Sequence, residues 1–139
     1  MEYKTRTGCP FSFSMGSFGD KWTLLILREI IVENKQYYDE FIQLPEGIST
    51  NILAARLKDM EKGKLITRSK DPNNKRRWIY RPTEKALDLI PMFFEMMIWS
   101  AKYDPYTEVT KGHIESFTKR RAQLVWLAKT GPPKQSSAW

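Results

Sequence analysis

Residues 47–81 read GISTNILAARLKDMEKGKLITRSKDPNNKRRWIYR, and they contain the strongest signals of secondary structure in the sequence. Ser49 is a typical N-cap residue, and it precedes a predicted helix over residues 50–62. Gly63 is expected to close this helix as a left-handed C-cap. The segment that follows the glycine changes from helical to strand-like patterning, so the helix is predicted to lead directly into a small sheet.

The predicted helix over residues 50–62 is amphipathic. Three apolar residues form its predicted buried stripe: Leu53, Leu57 and Met60. At about 100° per residue, another set points the opposite way: Asn51, Ala54, Ala55, Lys58 and Lys62. Because these exposed side chains are small or basic, this face of the helix can approach another surface closely.

A basic β-hairpin is predicted after the helix. Residues 65–70 and 76–81 alternate as strands do, and Asp71-Pro72-Asn73-Asn74 between them is a strong turn signal. Between residues 68 and 81 the only acidic side chain is that of Asp71, whereas lysines and arginines are frequent. A run of this kind favours a polyanion partner and a merely solvated face about equally.

Upstream of this stretch the sequence predicts three helical segments. The first covers residues 10–18 and ends at Gly19, the second covers residues 21–32 behind an Asp20 N-cap, and the third covers residues 37–43. Helix, turn, helix and basic hairpin is the order of a winged helix-turn-helix, whose second helix enters the major groove while the hairpin reaches phosphates or the minor groove.

Downstream, Thr83 is predicted to cap one long helix over residues 84–101 that is kinked at Pro91. Apolar side chains cover nearly its whole circumference, which a small monomer could not bury, so a partner surface is expected. A last helix is expected over roughly residues 107–129, followed by a flexible tail over residues 131–139. The predicted fold class is therefore α+β, mainly helical, with long terminal dimerisation helices.

Composition restricts the function further. The 139 residues carry a formal net charge of +7, which agrees with a polyanion partner. The sequence contains a single cysteine and no apolar run long enough to span a bilayer, which predicts a cytoplasmic protein without a membrane segment. It shows no Cys/His cluster, glycine-rich phosphate loop or nucleophile–base pair, so no metal, no cofactor and no enzymatic activity are expected.

Several of these segments resemble the HxlR-type regulators, which are winged-helix relatives of the MarR group. The resemblance covers about residues 8–100. It is carried by Cys9-Pro10, by GDKWTLLILRE at residues 19–29, by Gly47-Ile48-Ser49, and by Tyr80, Thr83-Glu84-Lys85, Pro91 and Trp99. The sequence departs from the family pattern at Ala54, Pro82 and Ala86.

The resemblance implies a homodimer that places one recognition helix per protomer in successive major grooves of a near-palindromic operator. Residues 1–102 would then form the DNA-binding domain with the start of the dimer interface, and residues 103–130 would complete that interface. The expected DNA contacts are Ser49, Thr50, Asn51, Arg56 and Lys58 on the recognition helix and Asn74, Lys75, Arg76 and Arg77 on the wing.

Cys9 is a candidate redox sensor, because some members of the family that this sequence resembles use the corresponding cysteine to detect oxidants or electrophiles. A thiol at a helix N-terminus near Lys4 and Arg6 is expected to have a lowered pKa. The alternative is a small, partly buried apolar residue that fits the start of the helix. A small-molecule effector, bound in an aromatic pocket at the dimer interface, is equally compatible with the sequence.

Two other classes of function stay open at this point. A winged helix can bind a protein or single-stranded nucleic acid instead of a duplex operator, and competition between duplex, single-stranded and RNA probes separates these possibilities. A small enzyme has no supporting constellation of residues.

Overall fold

The computed structural model describes residues 7–107 together with residues 115 and 119. Lys4, Arg6, most of the expected last helix and the expected tail lie outside the described residues. The elements are α1 (Pro10–Phe18), α2 (Lys21–Ile31), α3 (Tyr38–Phe41), α4 (Thr50–Lys62), β1 (Ile66–Asp71), β2 (Asn74–Pro82), α5 (Glu84–Leu87) and α6 (Ile90–Tyr103). The mainly helical α+β class and its winged-helix order are confirmed.

Side-chain caps fix where the two central helices begin. Asp20 Oδ2 accepts a hydrogen bond from Thr23 N at 3.0 Å at the start of α2. Ser49 Oγ accepts one from Ile52 N at 3.2 Å at the start of α4. Each cap satisfies a backbone N–H that has no partner within its helix. The predicted N-caps Asp20 and Ser49 are therefore confirmed, and α4 has the predicted bounds.

A compact hydrophobic core lies beneath these helices. Its fully buried side chains come from α2, α3, α4 and β1, and include Ile26, Leu27, Phe41, Leu53, Met60 and Ile66. The internal contacts of the chain divide it into two compact units with the boundary between Thr83 and Glu84. All residues of the predicted helix-turn-helix and hairpin belong to the first unit.

The end of α4 differs from the prediction by one residue. Gly63 is the C-cap but has φ −78°, so the predicted left-handed glycine is wrong. Lys64 adopts the left-handed conformation instead, with φ 61°. Lys64 N donates to Glu61 O at 3.0 Å and Leu65 N donates to Met60 O at 2.9 Å, which together form a Schellman motif. The motif requires its left-handed residue one position after the C-cap, where this chain has a lysine.

The hairpin contains an irregularity that the alternation of the sequence does not reveal. Lys70 pairs with Trp78 and the next residue, Asp71, pairs with Asn74. Residues 75–77 therefore have no partner on β1, and they lie in a bulge-like excursion of the longer strand β2. Bulges of this kind change the direction in which side chains point relative to the regular strand. Here the affected residues, 75–77, are the most basic part of the wing.

The predicted long helix over residues 84–101 is wrong as a single element. It is divided into α5 and α6, which are separated by Asp88 and Leu89. Pro91 explains the position of the break, because a proline has no N–H and its ring clashes with the carbonyl four residues earlier, that of Leu87. Helix α5 ends at Leu87, and Pro91 falls in the first turn of α6, where a proline is favourable.

Candidate nucleic-acid interface

The recognition helix α4 presents the surface that the sequence predicted. Leu53, Leu57 and Met60 are at most 3% exposed and hold one side of α4 against the core. The opposite side is exposed along its length, at Asn51, Ala54, Ala55, Lys58 and Lys62. The predicted amphipathic arrangement is therefore confirmed, and a flat face with an amide and two lysines is open to a partner.

At the N-terminus of α4, Ser49 and Thr50 are both exposed. The Tyr38 hydroxyl from α3 lies beside this end of the helix and donates to Thr50 O at 3.4 Å. Since helix N-termini attract phosphate, Tyr38 belongs to the candidate interface as well. No local sequence signal identified Tyr38, because its role depends on how α3 packs beside α4.

Arg56 lies on the flank of α4 and is held by a carboxylate at the start of α2. Its Nε donates to Asp20 Oδ2 at 2.8 Å. Partial burial opposes ionisation of Asp20, but the hydrogen bonds from Arg56 and from the Thr23 N–H outweigh this effect and hold the pKa of its carboxyl below the ordinary value. One carboxylate thus caps α2 and connects α4 to the start of α2.

The loop before α4 is fastened to α2 in a similar way. Arg28 makes a two-pronged contact with Glu46, with Nη1–Oε2 at 2.8 Å and Nη2–Oε1 at 2.9 Å. Such forked pairs constrain orientation as well as distance. Gly47, the next residue, has φ 75°, a conformation that favours glycine. Together these features set the point at which the recognition helix starts.

In the wing, the predicted contact residues fall into two groups. Asn74, Lys75 and Arg76 are exposed, and Asn74 Oδ1 accepts from Arg76 N at 3.1 Å, which shapes the tip. Arg77 is half-buried, and its Nη2 donates to Asp39 Oδ1 at 2.8 Å. The structure therefore places Lys75 and Arg76 at the free end of the hairpin and Arg77 against α3.

The stem of the hairpin carries two further cations that the site prediction did not include. The Arg68 guanidinium lies 4.1 Å and the Lys70 ammonium 4.0 Å from the ring centroid of Trp78. Arg68 also pairs with Glu61 of α4 at 3.1 Å. Their signal in the sequence was the basic run itself, but the stacking on Trp78 follows from the strand pairing and could not be read from spacing alone.

Two clefts flank this hairpin. One, of about 310 Å³, lies between α4 and the hairpin and has Lys58, Arg68 and Tyr80 in its lining. The other, of about 320 Å³, lies between α3 and β2. Basic and aromatic side chains line both clefts, together with Glu61 in the first and Asp39 in the second.

Cys9 is the N-cap residue of α1 and is partly exposed. Its pKa lies below the ordinary value for a thiol, because the backbone N–H groups of Ser12 and Phe11 favour the thiolate more strongly than burial disfavours it. The expected low-pKa thiol thus agrees with the local geometry of α1, and Lys4 and Arg6 lie outside the described residues.

Within residues 7–107 and at residues 115 and 119, no group of His, Cys, Asp or Glu side chains is arranged to hold a metal ion. Over the same residues no helix combines the length and the apolar character that a bilayer crossing requires.

The order of elements, the exposed α4 and the basic hairpin define a winged helix-turn-helix protein. The chain belongs to the HxlR-like helix-turn-helix family, whose model matches residues 17–108. Its relatives are transcriptional regulators, so the family confirms the expectation of a DNA-binding regulator rather than an enzyme.

Individual relatives support this assignment. YodB, an HTH-type transcriptional regulator of Bacillus subtilis, is 31% identical over 98 residues, which cover 70% of this chain and 87% of YodB. The structure of the reduced form of YodB matches with a TM-score of 0.56 at 27% identity, over 72% of this chain and 98% of that one. A MarR-family protein from Porphyromonas gingivalis matches with a TM-score of 0.61 at 26% identity, over 73% of this chain and 99% of that one.

Proposed function

We propose that this chain is a homodimeric regulator that binds a specific duplex operator, with α4 in the major groove and the hairpin beside it. The observation that carries the proposal is the exposed face of α4, which lies opposite a fully buried stripe and beside a hairpin rich in cations. A major groove about 12 Å wide admits a helix whose exposed side chains are short, as Ala54 and Ala55 are.

The contacts divide by chemistry. Asn51 has the donor and acceptor for a two-pronged contact with adenine, and Lys58 can reach guanine or phosphate. Ser49 and Thr50 suit a phosphate at the start of α4. Asn74, Lys75 and Arg76 suit phosphates or the minor groove. Arg56 is assigned to the orientation of α4 through Asp20, because its guanidinium is already paired there.

The proposed dimer rests on exposed apolar side chains at two places. On α1, Phe11, Phe13 and Met15 are more than half exposed. On α6, Met96, Trp99 and Tyr103 are exposed and follow one another at helical spacing. Exposed aromatic side chains at this density indicate a protein interface. As the sequence predicted, the dimer interface would begin within residues 1–102 and be completed by residues 103–130. The dimer would be cytoplasmic.

A competition gel-shift tests the proposal. Labelled duplex from the region flanking the gene is challenged with unlabelled duplex, single-stranded DNA and RNA of the same sequence. The proposed function requires that the same duplex competes best and that scrambled duplex competes at least tenfold less well. A preference for single strands, or no preference among nucleic acids, would support the alternative winged-helix module instead.

We also propose that oxidation of Cys9 changes the affinity for the operator. The lowered pKa at the start of α1 supports this, and YodB, which is similar in sequence and fold, has been solved in a reduced form. With a single cysteine in the chain, oxidation can give an intermolecular disulfide, a mixed disulfide or a sulfenic acid. Operator affinity is measured with and without diamide for the native protein and for Cys9→Ser. Identical responses of the two proteins would exclude Cys9 as the sensor.

A further inference from the structure

We infer that Arg77 positions the wing and does not bind phosphate, and that it acts through a wing clamp formed by Tyr37, Asp39, Asp71 and Arg77. This inference rests on the proposed function, because it assigns roles among the basic residues of the wing. It changes the sequence-based expectation, in which Lys75, Arg76 and Arg77 contacted DNA alike.

The first half of the clamp joins β2 to α3. Arg77 Nη2 donates to both carboxylate oxygens of Asp39, at 2.8 Å and 3.2 Å. The same guanidinium lies 3.6 Å from the ring centroid of Tyr37. The hydrogen bond from Arg77 holds the pKa of the Asp39 carboxyl below its ordinary value, although burial acts in the opposite direction. The Arg77 guanidinium therefore forms an ion pair with Asp39 and also stacks on the ring of Tyr37.

The second half of the clamp joins the same segment to β1. The Tyr37 hydroxyl donates to Asp71 Oδ2 at 3.1 Å. Asp71 is 6% exposed, and its other oxygen accepts from Asn73 N at 2.9 Å inside the hairpin turn. Tyr37 thus contacts both strands of the hairpin: its ring contacts Arg77 of β2, and its hydroxyl contacts Asp71 of β1. These contacts hold the hairpin against the start of α3, next to the irregular segment at residues 75–77.

The electrostatics of the pair argue against a phosphate contact by Arg77. Asp39 keeps 65% of its side chain exposed, and an uncompensated carboxylate on the DNA side of the molecule would repel the backbone. Arg77 cancels that charge, so the pair has no net charge with which to release counterions from DNA. Lys75 and Arg76 differ, because within the described part of the chain neither forms an ion pair.

The salt dependence of binding separates the two roles. The slope of log Kobs against log salt changes by about 0.9 for each phosphate contact that is lost. We expect Arg76→Ala, the matched control, to flatten the slope by about 0.9 for each wing. We expect the double variant Arg77→Ala/Asp39→Asn, which removes both charges of the pair and leaves no uncompensated carboxylate, to keep the slope of the native protein. It should weaken binding between about threefold and thirtyfold at every salt concentration, the combined range of an exposed ion pair and an exposed cation–π contact.

Asp39→Asn is the second test, because it removes the pair but keeps the charge of Arg77. The freed arginine should then reach phosphate, so the slope should steepen by up to about 0.9 for each wing. Asp88→Asn, which removes the same charge from an exposed position between α5 and α6, should leave the slope unchanged. Circular dichroism confirms that each variant is folded, and hydroxyl-radical footprints report whether the wing still protects the outer flank of each half-site.

The outcomes separate the inference from the proposed function. If the double variant Arg77→Ala/Asp39→Asn flattens the slope as Arg76→Ala does, Arg77 is a phosphate ligand and the inference is overturned. If Asp39→Asn leaves the slope at the native value, Asp39 does not keep Arg77 from phosphate, and the inference is overturned as well. If Arg76→Ala and Lys75→Ala also leave the slope unchanged, the wing does not contact DNA, and the proposed function itself is at fault.

Discussion

At the scale of single residues, Lys64 stores strain at the end of the recognition helix. Its left-handed backbone costs a residue with a side chain about 1–2 kcal/mol, whereas glycine adopts it freely. Glycine also adds about 0.5–1 kcal/mol of entropy to the unfolded chain. We therefore expect Lys64→Gly to raise the free energy of unfolding by about 0.5–1 kcal/mol, measured by urea denaturation.

The matched control is Lys58→Gly. It makes the same substitution at an exposed position in the middle of α4, where the backbone is helical, and it should lower the free energy of unfolding by about 1 kcal/mol. If both variants lose stability equally, the Schellman geometry at Lys64 is not maintained in solution.

Asp20 is expected to make stability depend on pH. Its carboxyl has a lower pKa in the folded protein than in the unfolded chain, so the unfolded state binds more protons in the acidic range. Its contribution is complete above the ordinary aspartate pKa of about 3.9 and is lost as the pH falls through the folded-state value. Denaturant titrations between about pH 5 and pH 2.5 should show that Asp20→Asn flattens this loss of stability.

The control for Asp20 is Asp88→Asn, at an exposed carboxyl between α5 and α6. It should leave the acid dependence of the native protein intact. Asp20→Asn should also become insensitive to Arg56→Ala, because the two side chains act through one contact. Additive losses in the double variant would contradict the role assigned to this pair.

At the scale of elements, the exposed residues of the recognition helix should fall into two groups. One group determines which base sequence is bound, and the other adds electrostatic affinity for any duplex. Asn51→Ala should reduce discrimination at one base pair by about 1–3 kcal/mol without changing the salt slope. Lys58→Ala should weaken binding to all duplexes and, if Lys58 contacts phosphate, flatten the slope by about 0.9 for each helix. Fluorescence anisotropy with operators that vary at single positions measures both effects.

Lys85→Ala serves as the control, since it removes the same charge from an exposed position on α5 and should leave the specificity and the salt slope unchanged. A change in specificity for Lys58→Ala together with a change in salt slope for Asn51→Ala would reverse the assignments.

Much of the element order could be predicted from the sequence because its signals are local. The N-caps Asp20 and Ser49 act on backbone within three residues, and the Asp71-Pro72 turn is a contiguous motif. The complete break of the helix before Pro91 could not be predicted from the sequence. The proline ring clashes with the carbonyl four residues earlier, and such a clash can either kink a helix or interrupt it. The irregularity at residues 75–77 depends on pairing across the hairpin.

The roles of individual cations were harder to predict. Arg56 finds its partner Asp20 far back along the chain, and Arg77 finds Asp39 in the same way. Both arginines were expected to contact DNA because charge and helix position suggest it. Only the packing of the helices and strands shows that each arginine already forms an ion pair with a carboxylate.

At the scale of the whole molecule, the exposed apolar side chains should control assembly. Trp99 is 65% exposed, and burying it in an interface would contribute about 1.5–3 kcal/mol. We expect Trp99→Asp to give a folded monomer with at least a hundredfold weaker operator binding, measured by light scattering and anisotropy. Gln43→Asp, at an exposed position after α3, should remain dimeric. A dimeric Trp99→Asp protein would place the interface elsewhere.

The central claim is that two copies of α4 read two half-sites of one operator. Hydroxyl-radical footprinting of the region that flanks the gene tests it most directly. The account predicts two protected segments related by pseudo-twofold symmetry, with centres about 10–10.5 base pairs apart or a multiple of that spacing, and loss of both in Trp99→Asp. A single protected segment, or uniform protection that does not depend on sequence, would contradict it.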